Sequence, residues 1–172
     1  MKKFGYWVAK VKTKINKSQA AMIDFYRKNG VTIGDNCRIA SYIGMKEAFL
    51  IEIGDNVVIS TNVTFVTHDF SSKLIWPDKG ELFGRIKIGN NCFIGQNATI
   101  MYGVTIADNT IVAAGSVVTK SFPESNIIIG GNPAKVIGTW EKYREKNQAN
   151  VIKMKDMMRR VQENDDSFLV VK

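Results

Sequence analysis

His68 is the one histidine in this chain of 172 residues, and it stands in the run Thr67-His68-Asp69. An imidazole changes its protonation state near neutral pH, so a histidine beside a hydroxyl is suited to take its proton. No serine or cysteine has a second histidine to activate it, which disfavours a covalent nucleophile. A lone histidine is a weak signal by itself, so its meaning depends on the elements that place it.

The chain around His68 repeats every six residues. Aliphatic residues occupy one six-residue grid at Ile88, Ile94, Ile100, Ile106, Val112 and Val118. A second grid, four positions later, holds small residues at Cys92, Ala98, Val104, Thr110 and Ser116. Neither a helix nor an alternating strand repeats every six residues, whereas a β-helix built from hexapeptides does. Each hexad is therefore expected to form a short strand and a corner, with its aliphatic residue pointing inwards.

The spacing of the repeats predicts a coil with three sides and one long interruption. Ile88 and Ile106 begin similar motifs 18 residues apart, which is three hexads per turn. Ile53 and Ile88 begin similar motifs too, but lie 35 residues apart, one turn plus 17 residues. The excess predicts a loop at residues 71–85, directly after the segment with His68. Loops of this length are uncommon in compact domains and are often functional.

These features resemble a known family. The hexads, the Thr67-His68-Asp69 run beside an extruded loop, and the ending Gly131-Asn132-Pro133-Ala134-Lys135-Val136-Ile137 are similar to hexapeptide-repeat acyltransferases. The similarity is greatest to the galactoside/maltose O-acetyltransferase-like sugar O-acetyltransferases, and it covers about residues 31–137. It implies an all-β fold, a left-handed parallel β-helix. It also implies a homotrimer, with acetyl-CoA as co-substrate in the groove between neighbouring subunits.

Three segments are expected: a helical cap at 1–30, the β-helix with its extruded loop 71–85 at 31–137, and a helix and tail at 138–172. The C-terminal helix is predicted from about Trp140 to Gln162. The first helix is amphipathic and rich in lysine, with apolar residues at Phe4, Val8, Val11 and Ile15. One interpretation is a cap on the end of the coil, which any solenoid requires. The other is weak association with a membrane surface.

The resemblance also implies roles for particular residues. His68 corresponds to the catalytic histidine, a general base for direct transfer of the acetyl group to a hydroxyl. The residues expected to contact acetyl-CoA are Gln96, Ala114, Gly115, Thr119, Lys120, Asn132, Pro133, Ala134 and Lys135. Tyr102 is a further candidate for the wall of the groove. Lysines suit the phosphates of coenzyme A, and small residues leave room for its pantetheine arm.

Three residues are expected near the acceptor, namely Asp69, Trp76 and Phe83. The two aromatic rings suit stacking on a sugar, although they would equally suit pinning the loop to its own or a neighbouring subunit. Asp69 follows His68 directly, and neighbouring side chains of a strand point to opposite faces. A backbone carbonyl or another acid is therefore an alternative to Asp69 as the group that orients the imidazole.

The composition is that of a folded domain, with 45% hydrophobic residues and a net charge of +8. Six of the 24 basic residues lie within the first 17 positions, which contain no acidic residue. The remaining basic residues are nearly balanced in number by the 16 acidic residues of the chain. A nucleic-acid partner is therefore not expected. Cys37 and Cys92 occupy the small-residue position of a hexad and are predicted to be reduced core residues, with no metal site. A cytoplasmic location is expected, since neither a signal peptide nor a membrane span is evident.

Other functions remain to be weighed against transfer to a sugar hydroxyl of a glycan or polysaccharide precursor. Zinc carbonic anhydrases built on the same prism need three histidine ligands, and this chain has one. An N-acyltransferase acting on an amino sugar or a xenobiotic is the main alternative. A non-enzymatic solenoid that binds a surface would show a ladder of threonine or asparagine on one face, which is not evident in the sequence. The N-terminal cap is shorter than in the galactoside/maltose branch, so that branch's acceptor contacts do not transfer.

Overall fold

The computed structural model describes residues 2–169, without the side chains of Lys2 and Lys3. The last three residues of the predicted C-terminal segment lie outside this part of the chain. The protein forms two compact units, residues 1–137 and 138–172. Within residues 2–169, no helix combines the length and hydropathy needed to cross a lipid bilayer.

Two helices precede the coil. Helix α1 spans Lys2–Asn16 and helix α2 spans Ala20–Lys28. Helix α2 lies against the first strands, and it buries Met22, Ile23 and Tyr26. The Tyr26 hydroxyl donates a hydrogen bond to the Ser41 carbonyl at 2.8 Å, deep in the core. Helix α2 is therefore fixed to the start of the coil by both packing and a buried hydrogen bond.

Short strands follow one another around the coil. Four of them form the first sheet: β1 (Thr32–Ile33), β3 (Ile51–Ile53), β8 (Ile86–Ile88) and β11 (Thr105–Ile106). The second sheet contains β2 (Arg38–Ile39), β4 (Val58–Ile59), β9 (Phe93–Ile94), β12 (Ile111–Val112), β14 (Ile127–Gly131) and β15 (Ala134–Thr139). The third contains β5 (Thr64–Phe65), β10 (Thr99–Ile100) and β13 (Val117–Val118).

Successive turns stack in exact register within each sheet. Ile88 pairs with Ile106 in the first sheet, Ile94 with Val112 in the second, and Ile100 with Val118 in the third, all in parallel. These are the residues of the predicted aliphatic grid, and all six are at most 3% exposed. Three parallel sheets with a core of this kind are what a hexapeptide β-helix requires. This part of the fold prediction is confirmed.

The chain turns three corners on each circuit. We call them the first corner (between the first and second sheets), the second corner (between the second and third) and the third corner (between the third and first). At the first corner the amide side chain of Asn56 donates to Asn91, and that of Asn91 donates to Asn109, both at 3.1 Å. This row of asparagines is not the ladder on a face that a surface-binding solenoid would show. It lies on a corner rather than a face, and Asn tolerates the positive φ found there.

The predicted long loop leaves and re-enters the coil through a narrow neck. Strand β6 (His68–Asp69) pairs antiparallel with β7 (Leu82–Phe83), and between them lies the short helix α3 (Ser72–Ile75). The Ser72 hydroxyl lies within hydrogen-bond distance of the Asp69 and Gly80 carbonyls, and Lys73 pairs with Glu81 at 3.3 Å. The loop is thus folded on itself.

The second unit differs from the single helix expected over Trp140–Gln162. Helix α4 spans Trp140–Asn147, a 3₁₀ turn spans Gln148–Asn150, and helix α5 spans Met154–Gln162. The prediction of one continuous helix is therefore wrong. Val151 is extended at the end of the 3₁₀ turn, and Lys153 is extended at the start of α5. The apolar spacing did not reveal this break, because apolar residues occur on both sides of it, at Trp140 and Tyr143 in α4 and at Met154, Met158 and Val161 in α5.

Candidate active site

His68 lies where the coil opens into the loop, at the third corner. Its strand β6 pairs with β7, so that His68 is opposite Phe83. The Gly84 amide donates to the Thr67 carbonyl at 3.1 Å and closes the neck just before the chain rejoins the coil. The imidazole is 35% exposed, which leaves one side open to solvent and the other held by protein.

The group beside the imidazole is a carboxylate that sequence reasoning did not identify. Glu47 Oε2 lies 3.3 Å from His68 Nδ1, and the Glu47 side chain is only 12% exposed. The Thr67 hydroxyl donates to the same oxygen at 3.0 Å. The distance is that of an ion pair, but Nδ1 is not aligned with this oxygen as a hydrogen bond and has no other partner within residues 2–169. Glu47 is therefore the acid beside the imidazole, at ion-pair distance from a buried Nδ1.

Glu47 reaches this position because the repeat is interrupted there. It precedes a 3₁₀ turn at Ala48–Leu50, and its carbonyl accepts from the Leu50 amide at 2.9 Å. Glu47 lies 20 residues before Thr67, the same interval that separates the paired Ile33 and Ile53. The sequence contained one signal for Glu47 as the partner of His68. It is an acidic residue one turn before the histidine, in a segment that breaks the hexads.

Asp69 has a different set of contacts. Its Oδ1 accepts from the amide and the hydroxyl of Ser71, at 2.8 and 2.6 Å, and its Oδ2 accepts from the Tyr102 hydroxyl at 3.2 Å. The Ser71 hydroxyl and amide, and then Tyr102, lower the pKa of Asp69. The same bond to Asp69 raises the pKa of Tyr102. The Asp69 side chain therefore links the loop, at Ser71, to the next turn of the coil, at Tyr102. Glu47 is the carboxylate that lies beside the imidazole.

The two aromatic residues expected at the acceptor site occupy different places. The Phe83 ring lies 5.9 Å from the His68 ring, centroid to centroid, and is exposed on the other side. Trp76 ends helix α3 and is also exposed, with the Lys79 ammonium 5.5 Å from its ring centroid. Phe83 thus borders the histidine directly, whereas Trp76 stands further along the loop.

The residues expected to contact acetyl-CoA divide between two corners. Thr119 and Lys120 directly follow β13, whose neighbours in the third sheet lead to His68 and Tyr102, so they belong to the third corner. Both are exposed. Gln96, Ala114 and Gly115 lie at the second corner, where the Gly115 amide donates to the Gln96 carbonyl at 2.8 Å.

The remaining expected residues follow β14 beside the second corner. Asn132 and Pro133 are joined by a cis peptide bond and are exposed, as is Lys135. Ala134 is 2% exposed, so it packs in the core of this chain. In a single chain, the third sheet therefore separates this group from His68. A Cβ atom on Gly95 would approach the Ala114 amide nitrogen within 2.5 Å, so glycine is required for the close stacking of this corner.

The comparisons with known proteins agree with this architecture. Residues 85–120 match the family model described as "Hexapeptide repeat of succinyl-transferase". Protein CapG of Staphylococcus aureus is 43% identical over 128 residues, which cover 72% of this chain and 74% of CapG. Galactoside O-acetyltransferase of Escherichia coli K12 is 36% identical over 110 residues, 63% of this chain and 54% of that protein. The chain thus spans about half the length of this second relative.

A solved structure of galactoside acetyltransferase in complex with coenzyme A aligns with a TM-score of 0.58 at 28% identity, covering 73% of each chain. This chain belongs to the hexapeptide-repeat acetyltransferase family, and it resembles the galactoside O-acetyltransferases. The predictions of the family and of an acetyltransferase are confirmed.

Proposed function

We propose that this acetyltransferase transfers the acetyl group of acetyl-CoA directly to a sugar hydroxyl, with His68 as general base. The observation that carries the proposal is the placement of His68, which is partly exposed at the mouth of a folded loop with a shielded carboxylate behind it. A proton acceptor for a substrate hydroxyl needs one free nitrogen and a fixed ring. The burial of Nδ1 beside Glu47 supports the assignment of Nε2 as the free nitrogen.

Glu47 determines which nitrogen is free. An ionised carboxylate only accepts hydrogen bonds, so Glu47 favours the tautomer that carries its proton on Nδ1. The lone pair is then on Nε2, which takes the proton of the acceptor hydroxyl as that oxygen attacks the thioester carbonyl. The imidazolium that forms is stabilised by the neighbouring negative charge. Thr67 limits the rotation of the carboxylate by donating to the oxygen nearest His68.

The residues proposed for acetyl-CoA fit such a molecule. Lys120 and Lys135 are exposed cations suited to phosphates, and the second corner is built of small residues that leave space for a narrow arm. The relative solved with coenzyme A supports this choice of co-substrate. The proposed co-substrate residues remain those at Gln96, Ala114, Gly115, Thr119, Lys120, Asn132, Pro133, Ala134 and Lys135.

The division of these residues between two corners supports a homotrimer with sites between chains. If the second corner of one chain meets the third corner of its neighbour, His68 and the second-corner group share one cleft. The third sheet then faces outwards, and the first and second sheets turn towards neighbouring chains. The outer face of the second sheet is suited to such contact, because it is apolar at Val58, Phe93, Ile111 and Ile128. The left-handed coil is proposed from the family resemblance.

The proposed acceptor is a sugar of a glycan or polysaccharide precursor. The E. coli relative is a galactoside O-acetyltransferase, and Phe83 presents an exposed ring beside His68, where a sugar face could stack. Trp76 is proposed as a second stacking surface on the same loop. The proposed organisation is a cap at 1–30, the catalytic coil at 31–137 and a C-terminal segment at 138–172.

A panel of acceptors tests the function. Release of coenzyme A from acetyl-CoA is measured with neutral sugars, amino sugars and their N-acetylated forms. Transfer to neutral and N-acetylated sugars, with the acetyl group found as an ester, supports the proposal. Transfer only to free amines contradicts it and favours the N-acyltransferase alternative. Phe83→Ala should raise the KM for the sugar while leaving that for acetyl-CoA nearly unchanged.

A further inference from the structure

The first helix turns its main apolar stripe away from the protein. Phe4 and Ile15 are 75% and 72% exposed, and the stripe between them is completed by Trp7, Val8 and Val11. These residues recur at the three- and four-residue spacing that places side chains on one face of a helix. The opposite face, with Gly5 and the buried Ala9, packs on helix α2. The apolar residues of α1 that suggested a cap in the sequence are therefore the ones whose side chains remain exposed.

The end of the coil does not depend on this stripe. Helix α2 contacts both β1 and β2, and its Tyr26 is completely buried. Helix α1 forms a second layer, held through Tyr6, whose ring lies 5.0 Å from that of Tyr42 and 6.0 Å from that of Phe25. Capping thus accounts for α2 and for the inner face of α1. It leaves the outer face of α1 without a function.

Positive charge borders the stripe on both sides. At about 100° per residue, Lys10 and Lys14 fall on one flank and Lys12 on the other. The Lys10 ammonium lies 5.1 Å from the Trp7 ring centroid, at the edge of the apolar residues. No acid occurs in the first 17 residues. Long lysine stems can cover apolar surface while the ammonium reaches outwards, which is how such helices meet a layer of headgroups.

We propose that this outer face of α1 binds the surface of an anionic lipid membrane. The apolar stripe would enter the boundary between headgroups and acyl chains, and the flanking lysines would meet the lipid phosphates. Charge favours this occupant over the same stripe on a second copy, since that pairing would bring lysines of like sign together. The proposal goes beyond acetyl transfer and does not depend on it.

Vesicle co-sedimentation of the full chain tests the proposal. The probes are vesicles of phosphatidylcholine alone and of phosphatidylcholine with about one third phosphatidylglycerol, at low salt. The protein should pellet with the anionic vesicles, and high salt should release it. V11E places a charge in the centre of the stripe and should weaken binding by about tenfold or more. V151E introduces the same charge at an exposed valine of the second unit and should bind as wild type.

A spectroscopic measurement distinguishes insertion from contact between proteins. Trp7 fluorescence should shift to shorter wavelength on addition of anionic vesicles, and W7F should lose that shift. V11E should keep its melting temperature and its acetyl-CoA turnover in solution. Failure of wild type to pellet with anionic vesicles would overturn the proposal, as would equal pelleting of V11E. So would a change in the oligomeric mass of V11E without any vesicle binding by wild type, since the stripe would then be a contact between copies.

Discussion

Glu47 Oε2 lies 3.3 Å from His68 Nδ1, and the two residues come from successive turns of the coil, 21 positions apart in sequence. The Thr67 hydroxyl donates to the same oxygen. The carboxylate is largely shielded and the imidazole is partly open to solvent. Because Nδ1 is buried beside Glu47, the proposed mechanism assigns Nε2 as the nitrogen that meets the substrate.

Glu47→Gln is expected to lower kcat, by a factor no greater than the loss of the base itself, about 10²–10⁴. Glutamine can still accept from Thr67, so the site should remain folded, while the negative charge beside the imidazole is lost. The KM for acetyl-CoA should be nearly unchanged, since Glu47 is proposed to act through His68. Steady-state kinetics at varied acetyl-CoA concentration check this.

Glu145→Gln is the matched control for this experiment. Glu145 is exposed on helix α4 of the second unit. Its substitution should leave kcat and KM as in wild type. A double variant of Glu47→Gln and His68→Asn should be no slower than His68→Asn alone, because the acid acts through the base. Additive losses would show that Glu47 has a separate role.

His68→Asn is expected to reduce kcat by about 10²–10⁴, the usual contribution of a positioned base. The KM for acetyl-CoA should hardly change, since His68 is proposed to act on the acceptor oxygen. Near-normal turnover in the variant, or an acetylated enzyme trapped from wild type and seen by mass spectrometry, would contradict direct transfer with His68 as base.

The coil could be predicted from the sequence because each six-residue repeat carries the pattern in its own residues. Every inward position of the grid from Ile88 to Val118 carries an aliphatic residue, and all of them are buried. The loop could be predicted from the spacing of the repeats. Ile53 and Ile88 begin similar motifs 35 positions apart, and the two residues pair with each other in the structure. The spacing therefore predicts the loop and the position of His68 at its mouth.

Two features depended on tertiary structure, so the pattern of the repeats was not enough to assign them. Glu47 stands in a break of the hexads, so its register against Thr67 became known only from the backbone of the 3₁₀ turn. Periodicity identified the apolar stripe of α1 but not the direction it faces, because the opposite face of α1 packs on α2 and, through Tyr6, on Tyr42. A pattern defines a helical face, whereas packing decides which face is covered.

Lys120→Ala and Lys135→Ala are each expected to raise the KM for acetyl-CoA more than they lower kcat. A lysine that meets a phosphate does so in both the ground and the transition state, so its loss weakens binding uniformly. Lys142→Ala, in the exposed helix α4, is the control and should have wild-type kinetics. Unchanged KM values in both Lys120→Ala and Lys135→Ala would show that the phosphates bind elsewhere.

Both cysteines are expected to resist alkylation in the folded protein. Burial raises the pKa of the Cys37 and Cys92 thiols, so less of the reactive thiolate is present at pH 8 than in an exposed cysteine. Labelling by iodoacetamide should be slow in native buffer and rapid in denaturant, as followed by mass spectrometry. S125C adds an exposed thiol as an internal reference. Rapid native labelling of Cys92 would mean that the coil opens at this turn.

Light scattering should give a mass near three times the chain mass of 19.2 kDa. Phe93→Glu should break the assembly, because it places a charge in the centre of the apolar outer face of the second sheet. Thr64→Glu is the control, since Thr64 is exposed on the third sheet, which the proposed trimer turns outwards. If Phe93→Glu yields folded monomers, they should also lose turnover, because His68 would be separated from the neighbour's second corner. A wild-type mass near 19.2 kDa, or a fully active Phe93→Glu monomer, would rule out a shared site.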